Sequence, residues 1–295
     1  VIGFPFSVDP LVMYWNRDIF TDAGSSLPPT TWTEFFTLAP KITRKDDKGN
    51  IVQSLVAFGE TRNVTHAKNM ISLLAIQAGT PIVTRDVQGQ FVSVLETSKG
   101  GLVPAEQALS YYTEFSNPNK ASYSWNRSLP NDKNAFVAGK LAVYFGSASE
   151  LASIRAANPN LNFDVAAIPQ AGVGSKKAVF GTMNAIAILK SSKNPASAFI
   201  AATNLSGATL QAIWLDQSGF PPVRRDMFSK MPGDAYKSVF YQSALISTAW
   251  LDPNRDASNE VFTRLVDNVT SGKLRISESV RAASLELNNL IRTNQ

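Results

Sequence analysis

The sequence contains no cysteine and a single histidine, His66. Without cysteine there is no disulfide, no thiol nucleophile and no thiolate metal site, and one imidazole supplies neither a metal cluster nor much of a histidine-based triad. Long apolar runs are also missing: none approaches the roughly 18 residues that a spanning helix needs. Charged residues make up only 17% of the chain, and the net charge of +5 comes from a shortage of acids. The densest basic points are the pairs Arg44-Lys45, Lys176-Lys177 and Arg224-Arg225. A nucleic-acid binder clusters such residues along a face or interleaves them with aromatics, so a solvated, mildly basic surface is the better reading. Phosphate-loop, dinucleotide, nucleophile-elbow and zincin patterns are absent, and Gly172-Val173-Gly174-Ser175 is a glycine-rich stretch with no helix start behind it. Among enzyme classes this leaves carboxylate chemistry, for which Asp132, Glu150 and Asp216 can be nominated although no spacing pairs them.

What is present is a chain of 295 residues, 44% hydrophobic, with a mean hydropathy of -0.06. That length allows about two domains of ordinary size. Val1 to Phe6 has no Met, basic region or cleavage pattern, so it does not read as a secretory signal. It reads as a short strand, followed after the polar break Ser7-Val8-Asp9-Pro10 by a second strand, Leu11 to Trp15. Two nearly collinear strands with a small break between them suit a chain that crosses between domains.

Asn16 opens a short helix that ends near Gly24; Thr31 and Glu34 form a capping box for the next, which Pro40 should kink. Further helices are expected over 66–78, 104–116 and 148–157, after Asn131-Asp132, and near 195–205, 207–217, 234–245, 257–271 and 277–292. Strands are expected at Ile51–Phe58, Leu141–Gly146, Phe163–Ile168 and Asn184–Leu189, with a hairpin about Gln88-Gly89. Strands alternating with helices up to residue 189 give an α/β architecture. Trp32 and Trp214 fall on apolar helical faces and are assigned to the core. Trp125 stands in the polar, helix-free stretch Ser122–Arg127, where a ring stacked on a ligand is easier to arrange than a core ring; anchoring of the loop is the alternative. Gly146-Ser147 lies at a strand-to-helix junction, the usual rim for ligand contacts in such sheets.

These residues also carry a resemblance. Phe4-Pro5-Phe6-Ser7-Val8-Asp9, Val12-Met13-Tyr14 with Asn16, Ala23-Gly24 and Pro28-Pro29-Thr30-Thr31-Trp32 resemble the passage from first to second domain in family 1 extracellular solute-binding proteins of ABC importers, the maltose-binding-protein-like group. Phe136 to Val143 is similar to the family's helix-to-strand signature, with Val143 in place of the usual Met. Gly181 to Pro195, Gly219 to Pro222, and Ser271-Gly272-Lys273 before Ser277 to Val280 resemble its later segments.

The resemblance implies a periplasmic-binding-protein-like type II fold, two α/β lobes joined by hinge crossings. Residues 1–7 would end a first-lobe strand and begin the hinge, and 8–178 would form the second lobe. Residues 179–240 would return to the first lobe, mostly as helix, and 241–295 would make the third crossing and the C-terminal helices on the second lobe. Family members carry a long segment ahead of the position matching Val1, with most of the first lobe, a signal and a lipid-attachment cysteine, so the first lobe is expected to be incomplete here. Ser7, Val8, Asp9, Gly181 and Thr182 become hinge candidates. Asn63, Thr65, His66, Trp125, Gly146, Ser147, Phe220 and Trp250 become ligand candidates, with helix capping the alternative for Asn63 and Thr65. The family often has Trp just past the glycine matching Gly146, whereas this sequence has Ala148 and Ser149, which weakens a stacked sugar there. The implied activity is capture of a small solute, most often a sugar or oligosaccharide, for an importer permease outside the cytoplasm, with no catalytic residue, cofactor or metal. A carboxylate glycoside hydrolase and a non-catalytic interaction module are the alternatives.

Overall fold

The computed structural model describes residues 3–172, 177–229 and 232–293. Val173-Gly174-Ser175 of the glycine-rich stretch and Lys176 lie outside the described residues. The strands are β1 (Phe4–Asn16), β2 (Arg44–Lys45), β3 (Ile51–Val56), β4 (Val83–Arg85), β5 (Phe91–Ser93), β6 (Leu141–Ser147), β7 (Phe163–Ala166), β8 (Val179–Ile186) and β9 (Ser247–Thr248). Seven of them form one mixed sheet in the order β2-β3-β6-β1-β8-β9, with β7 paired to β1 off that path, and β4 and β5 make the expected hairpin.

The helices are α1 (Arg17–Asp22), α2 (Glu34–Ile42), α3 (Ala67–Ala78), α4 (Pro104–Glu114), α5 (Asp132–Val137), α6 (Leu151–Ala157), α7 (Pro195–Leu205), α8 (Ala208–Ser218), α9 (Ala235–Leu245), α10 (Arg255–Thr270) and α11 (Ile276–Thr293). Local chemistry sets their ends. Asn16 accepts the Ile19 amide at 3.0 Å, Asn131 accepts the Lys133 amide at 3.1 Å, and Gly79, at φ 115°, closes α3 in the left-handed region where a Cβ would be strained. The Thr31–Glu34 box forms by half. Glu34 accepts from the Thr31 amide and hydroxyl at 2.9 and 2.7 Å, and α2 begins at Glu34 itself.

β1 runs without the break expected at Ser7-Val8-Asp9-Pro10. Its first half pairs antiparallel with β8, Ser7 opposite Asn184, Asp9 opposite Thr182 and Pro10 opposite Gly181, while its second half pairs with β6 and β7. The cause is tertiary: β8 supplies a ladder the local sequence does not announce, and the buried Ser7 hydroxyl accepts from Asn184 Nδ2 at 3.0 Å. The strand expected at Asn184–Leu189 accordingly starts earlier, at Val179, and stops at Ile186.

The larger body is built on an aromatic core in which Phe58 and Phe145 lie nearly parallel with centroids 5.3 Å apart, flanked by Trp32, Phe35, Tyr111 and Phe115. The Trp32 indole donates to Gln77 at 2.6 Å, so its one polar atom is satisfied. α3 and α4 pack together and α10 and α11 pack outside them. α9 packs on β1 and β7, where Tyr236 sits 6.4 Å from Phe163 and Arg155 lies over the Tyr236 ring.

α7 and α8 lean instead on the first half of β1, through Phe4 on Phe199, Phe6 on Trp214 and a bond from Gln211 Nε2 to Phe6 O of 3.1 Å. Trp214, expected in the core, is 36% exposed and stacks on Phe220. α8 is apolar on several sides, and among the described residues only Gln211 and Leu215 of it are buried. No single helix among the described residues is long and apolar enough to cross a membrane.

Gly181 is a strand residue whose lack of a side chain matters through close approach. A Cβ there would lie 2.7 Å from Ser247 Oγ and 3.0 Å from Ser247 Cβ on β9. Gly181→Ala is expected to push β9 aside and cost about 1–3 kcal/mol, as overpacking does. Urea unfolding reads this, and an unchanged midpoint would show that β9 yields freely.

Candidate functional site

Three strands lie side by side as hydrogen-bonded neighbours where the small part meets the larger body: β1 and β8 run from one to the other, and β9, between α9 and α10, flanks them. Asp9 and Pro10 of β1 face Thr182 and Gly181 of β8, and Val179 and Phe180 of β8 pair in parallel with Ser247 and Thr248 of β9. Beside this ribbon opens a cavity of about 490 Å³, lined by Phe180 to Met183, Ala249 to Asp252, Lys68, Asn69 and Arg255. A second groove of about 260 Å³ runs between the start of α3 and α10, shares Lys68, Asn69 and Arg255 with the cavity, and adds Thr65 and His66.

The loop that presents Thr65 and His66 is held from behind by α5. Asp132, 2% exposed, accepts from the Thr65 amide and hydroxyl at 3.1 and 2.6 Å and from the Lys133 amide at 2.8 Å, while its own amide donates to Asn63 O. Burial pushes this carboxyl above its ordinary range, against the pull of those donors. His66 Nε2 meets Glu150 Oε1 at 2.6 Å. Glu150 also accepts from Lys133 Nζ at 2.7 Å, Tyr144 Oη at 2.8 Å and the Ser147 amide at 2.9 Å. Asp9, on the first crossing, accepts from the Ser149 amide at 3.1 Å and hydroxyl at 2.7 Å, which ties β1 to the short 3-10 turn Ala148–Glu150. Burial raises the Asp9 carboxyl as well.

For Glu150 burial acts upward, but the hydrogen bond and charge of His66, with the hydrogen bonds of Lys133 and the Ser147 amide, outweigh it and bring the carboxyl from 4.5 to about 2. A folded value below the unfolded one means stability that is present above about pH 4.5 and lost as pH falls toward 2. Glu150→Gln is therefore expected to lose about 3 kcal/mol at neutral pH, with the gap to wild type closing through that acid window. Urea titrations at neutral and acid pH check it; a gap independent of pH would mean that the carboxylate charge is not what stabilises.

This chemistry does not suit the hydrolytic roles considered from sequence. Glu150 has both oxygens occupied and stays ionised, Asp132 is enclosed by backbone and hydroxyl donors, and Asp216 is exposed on α8, away from both in the fold. Neither of the first two leaves an oxygen for a glycosidic bond.

The other candidates separate clearly. Trp125 is 1% exposed and its indole donates to Asn63 Oδ1 at 3.2 Å, so it offers no face for stacking. Asn63 gives its amide to Asn126 O and Leu129 O, both at 3.0 Å, and clamps that loop instead of capping a helix. Trp250 is among the residues lining the larger cavity, while its ring stacks on Phe262 and its indole donates to Ser72 at 3.0 Å. Gly146 is buried where any Cβ would meet the Tyr144 and Tyr14 rings, so it serves packing, whereas Ser147 is half-buried at the end of β6. Phe220 is half-buried on Trp214, in the small part.

Sequence reading missed Lys68, Asn69 and Arg255. Lys68 is committed to Asp252 at 2.7 Å and Ser258 at 2.9 Å, but the Asn69 and Arg255 side chains make no hydrogen bond or ion pair among the described residues. The available signal was position: both occupy first turns of helices that follow the loops singled out.

A family model described as bacterial extracellular solute-binding protein matches residues 1–239. Provisionally named binding proteins of Brucella abortus (strain 2308) and Brucella suis biovar 1 (strain 1330) are each 26% identical over 225 residues, 76% of this chain; the chain spans about half, 51%, of their length. Among solved structures, an ABC transporter solute-binding protein from Thermotoga lettingae bound with α-D-tagatose is similar with a TM-score of 0.71 at 23% identity, over 98% of this chain and 72% of that one. A cyclo/maltodextrin-binding protein complexed with maltotetraose is similar with a TM-score of 0.77 at 16% identity, over 99% and 71%.

Proposed function

The chain belongs to the family of bacterial extracellular solute-binding proteins, and from that premise we propose that it captures a small polyhydroxylated solute, a sugar or oligosaccharide, for an ABC importer permease outside the cytoplasm. The observation that carries this reading is the three-stranded ribbon in which β1 and β8 cross between the two parts with β9 alongside, next to a cavity whose unpaired polar groups, Asn69 and Arg255, belong to the larger body. A binding cleft needs such a hinge and a few oriented polar groups on a mostly fixed wall. The relatives' printed names support the ligand class: one neighbour holds α-D-tagatose and another maltotetraose.

In this reading Ser7, Val8, Asp9, Gly181 and Thr182 form the hinge. Thr65, His66, Ser147 and Trp250 form one wall, with Asn63, Trp125 and Gly146 supporting it from behind, and Phe220 belongs to the opposing lobe. The larger lobe takes residues 8–178 with α9 and the C-terminal helices. The smaller takes residues 1–7 and the return through α7 and α8, whose exposed apolar sides receive further polypeptide of the kind the longer relatives carry. No bond in the solute is broken.

Calorimetric titration of the natural gene product with D-tagatose and a maltodextrin series, followed by chromatography of the recovered sugar, tests the proposal. Saturable binding with the sugar recovered intact is expected. Hydrolysis products would replace it by the glycosidase reading, and no binding across the panel would end the sugar assignment.

A further inference from the structure

The contacts of His66 have a chemical consequence for the solute. Its Nε2 lies 2.6 Å from Glu150 Oε1, and Glu150 is held as a carboxylate by Lys133 at 2.7 Å, Tyr144 at 2.8 Å and the Ser147 amide at 2.9 Å. A carboxylate only accepts, so the proton of a neutral imidazole must sit on Nε2 and leave Nδ1 with a bare lone pair. Nδ1 makes no hydrogen bond among the described residues, and His66 lines the groove that shares Lys68, Asn69 and Arg255 with the larger cavity. The loop carrying it is fixed by Asp132 through Thr65, so the lone pair has a set place.

We propose that Glu150 is a positioning residue that fixes the neutral ring of His66 in its Nε2–H form, making Nδ1 a hydrogen-bond acceptor on the cleft wall, so that a solute bound to the neutral form must present a hydroxyl or N–H donor at that point. This rests on the solute-binding reading above. It adds that discrimination by the neutral ring is by polarity: a solute with an ether, ester or carboxylate oxygen there brings two acceptors face to face and is rejected. Donors come instead from Asn69 and Arg255, so the same wall accepts from the solute at one point and donates to it at others.

His66 is the single histidine of the chain, so its ring nitrogens give unambiguous signals in ¹⁵N NMR. In alkaline buffer, where an imidazole is neutral, the 295-residue chain is expected to show the Nε2–H tautomer. Glu150→Gln, whose amide can donate as well as accept, is expected to admit the other tautomer. Should that variant not fold, the wild-type spectrum alone decides, since an Nδ1–H tautomer there overturns the inference. D-Tagatose and maltotetraose are then added at their highest soluble concentrations, so that weak binding registers. Movement of the Nδ1 signal upfield together with the Asn69 amide supports the contact. Movement of the amides with Nδ1 unchanged overturns the inference and leaves the function standing, whereas no movement anywhere with either sugar overturns the function and the contact with it. His66→Leu is expected to weaken binding about tenfold and His66→Gln, which keeps an acceptor, to recover most of it; equal affinity of the leucine variant would also overturn the inference.

Discussion

Sugar affinity is expected to be about a thousandfold higher for a chain completed by an opposing lobe of the kind the longer relatives carry than for the 295-residue chain by itself. Closure of a two-lobed cleft desolvates the solute from both sides, so each lobe must supply contacts. Here the larger body offers a built wall, while the smaller part is two helices leaning on half of one strand pair. Over Phe4 to Asp9, β1 has β8 as its only strand partner among the described residues. Phe199 and Ile200 of α7 are 54% and 62% exposed, and Ile213 of α8 is 58% exposed. Helix faces this apolar normally pack against something. The structural relatives extend beyond the matched region, since the chain accounts for 72% of the Thermotoga protein and 71% of the maltodextrin-binding one. Losing three polar or aromatic contacts, at about 1–1.5 kcal/mol each, weakens binding by about 4 kcal/mol, or about three decades. Calorimetry on both forms gives the ratio directly. Micromolar binding by the short chain would place the whole site on the larger body and remove the opposing lobe from the proposal.

Much of the larger body was legible because its signals are local. Asn16, Gly79 and Asn131 act within four residues of their own position, and Trp32, with Phe35 after it, repeats at the spacing of one helical face. The continuity of β1 was not legible. Ser7-Val8-Asp9-Pro10 looks like a break, and only pairing with a strand about 175 residues away makes it a ladder. Trp214 fails in the reverse direction: an apolar helical pattern states that a face should be covered without stating what covers it. The site followed the same division. His66 was visible as a lone imidazole before a helix, whereas Glu150, which decides what that imidazole can do, lies 84 positions later and was singled out only as a possible acid.

Replacing Trp125 by alanine is expected to destabilise the protein by about 3–5 kcal/mol, the usual range for removing a buried large aromatic. The sequence around it is polar, which favoured a place at the cleft, yet the polar neighbours are themselves absorbed by the fold. Ser124 Oγ accepts from the Leu55 and Val56 amides at 2.9 and 3.1 Å, and the Ser124 and Trp125 amides donate to Phe115 O at 2.8 and 3.1 Å. With its backbone stitched to β3 and the end of α4, the segment directs its one large ring inward, where the indole meets Asn63 at 3.2 Å. Alanine would open a cavity and strand the Asn63 carbonyl, which in turn orients the amide that holds Asn126 and Leu129. A typical domain has about 5–15 kcal/mol in total, so this single change removes a large share. Trp125→Phe separates the two contributions: most of the volume returns but the N–H does not, and a residual loss of about 1–2 kcal/mol is expected. Because the ring has no open face, sugar affinity of the folded phenylalanine variant should equal that of wild type. Retained stability with binding weakened tenfold would instead return Trp125 to the cleft and show that the ring can turn outward when a solute arrives.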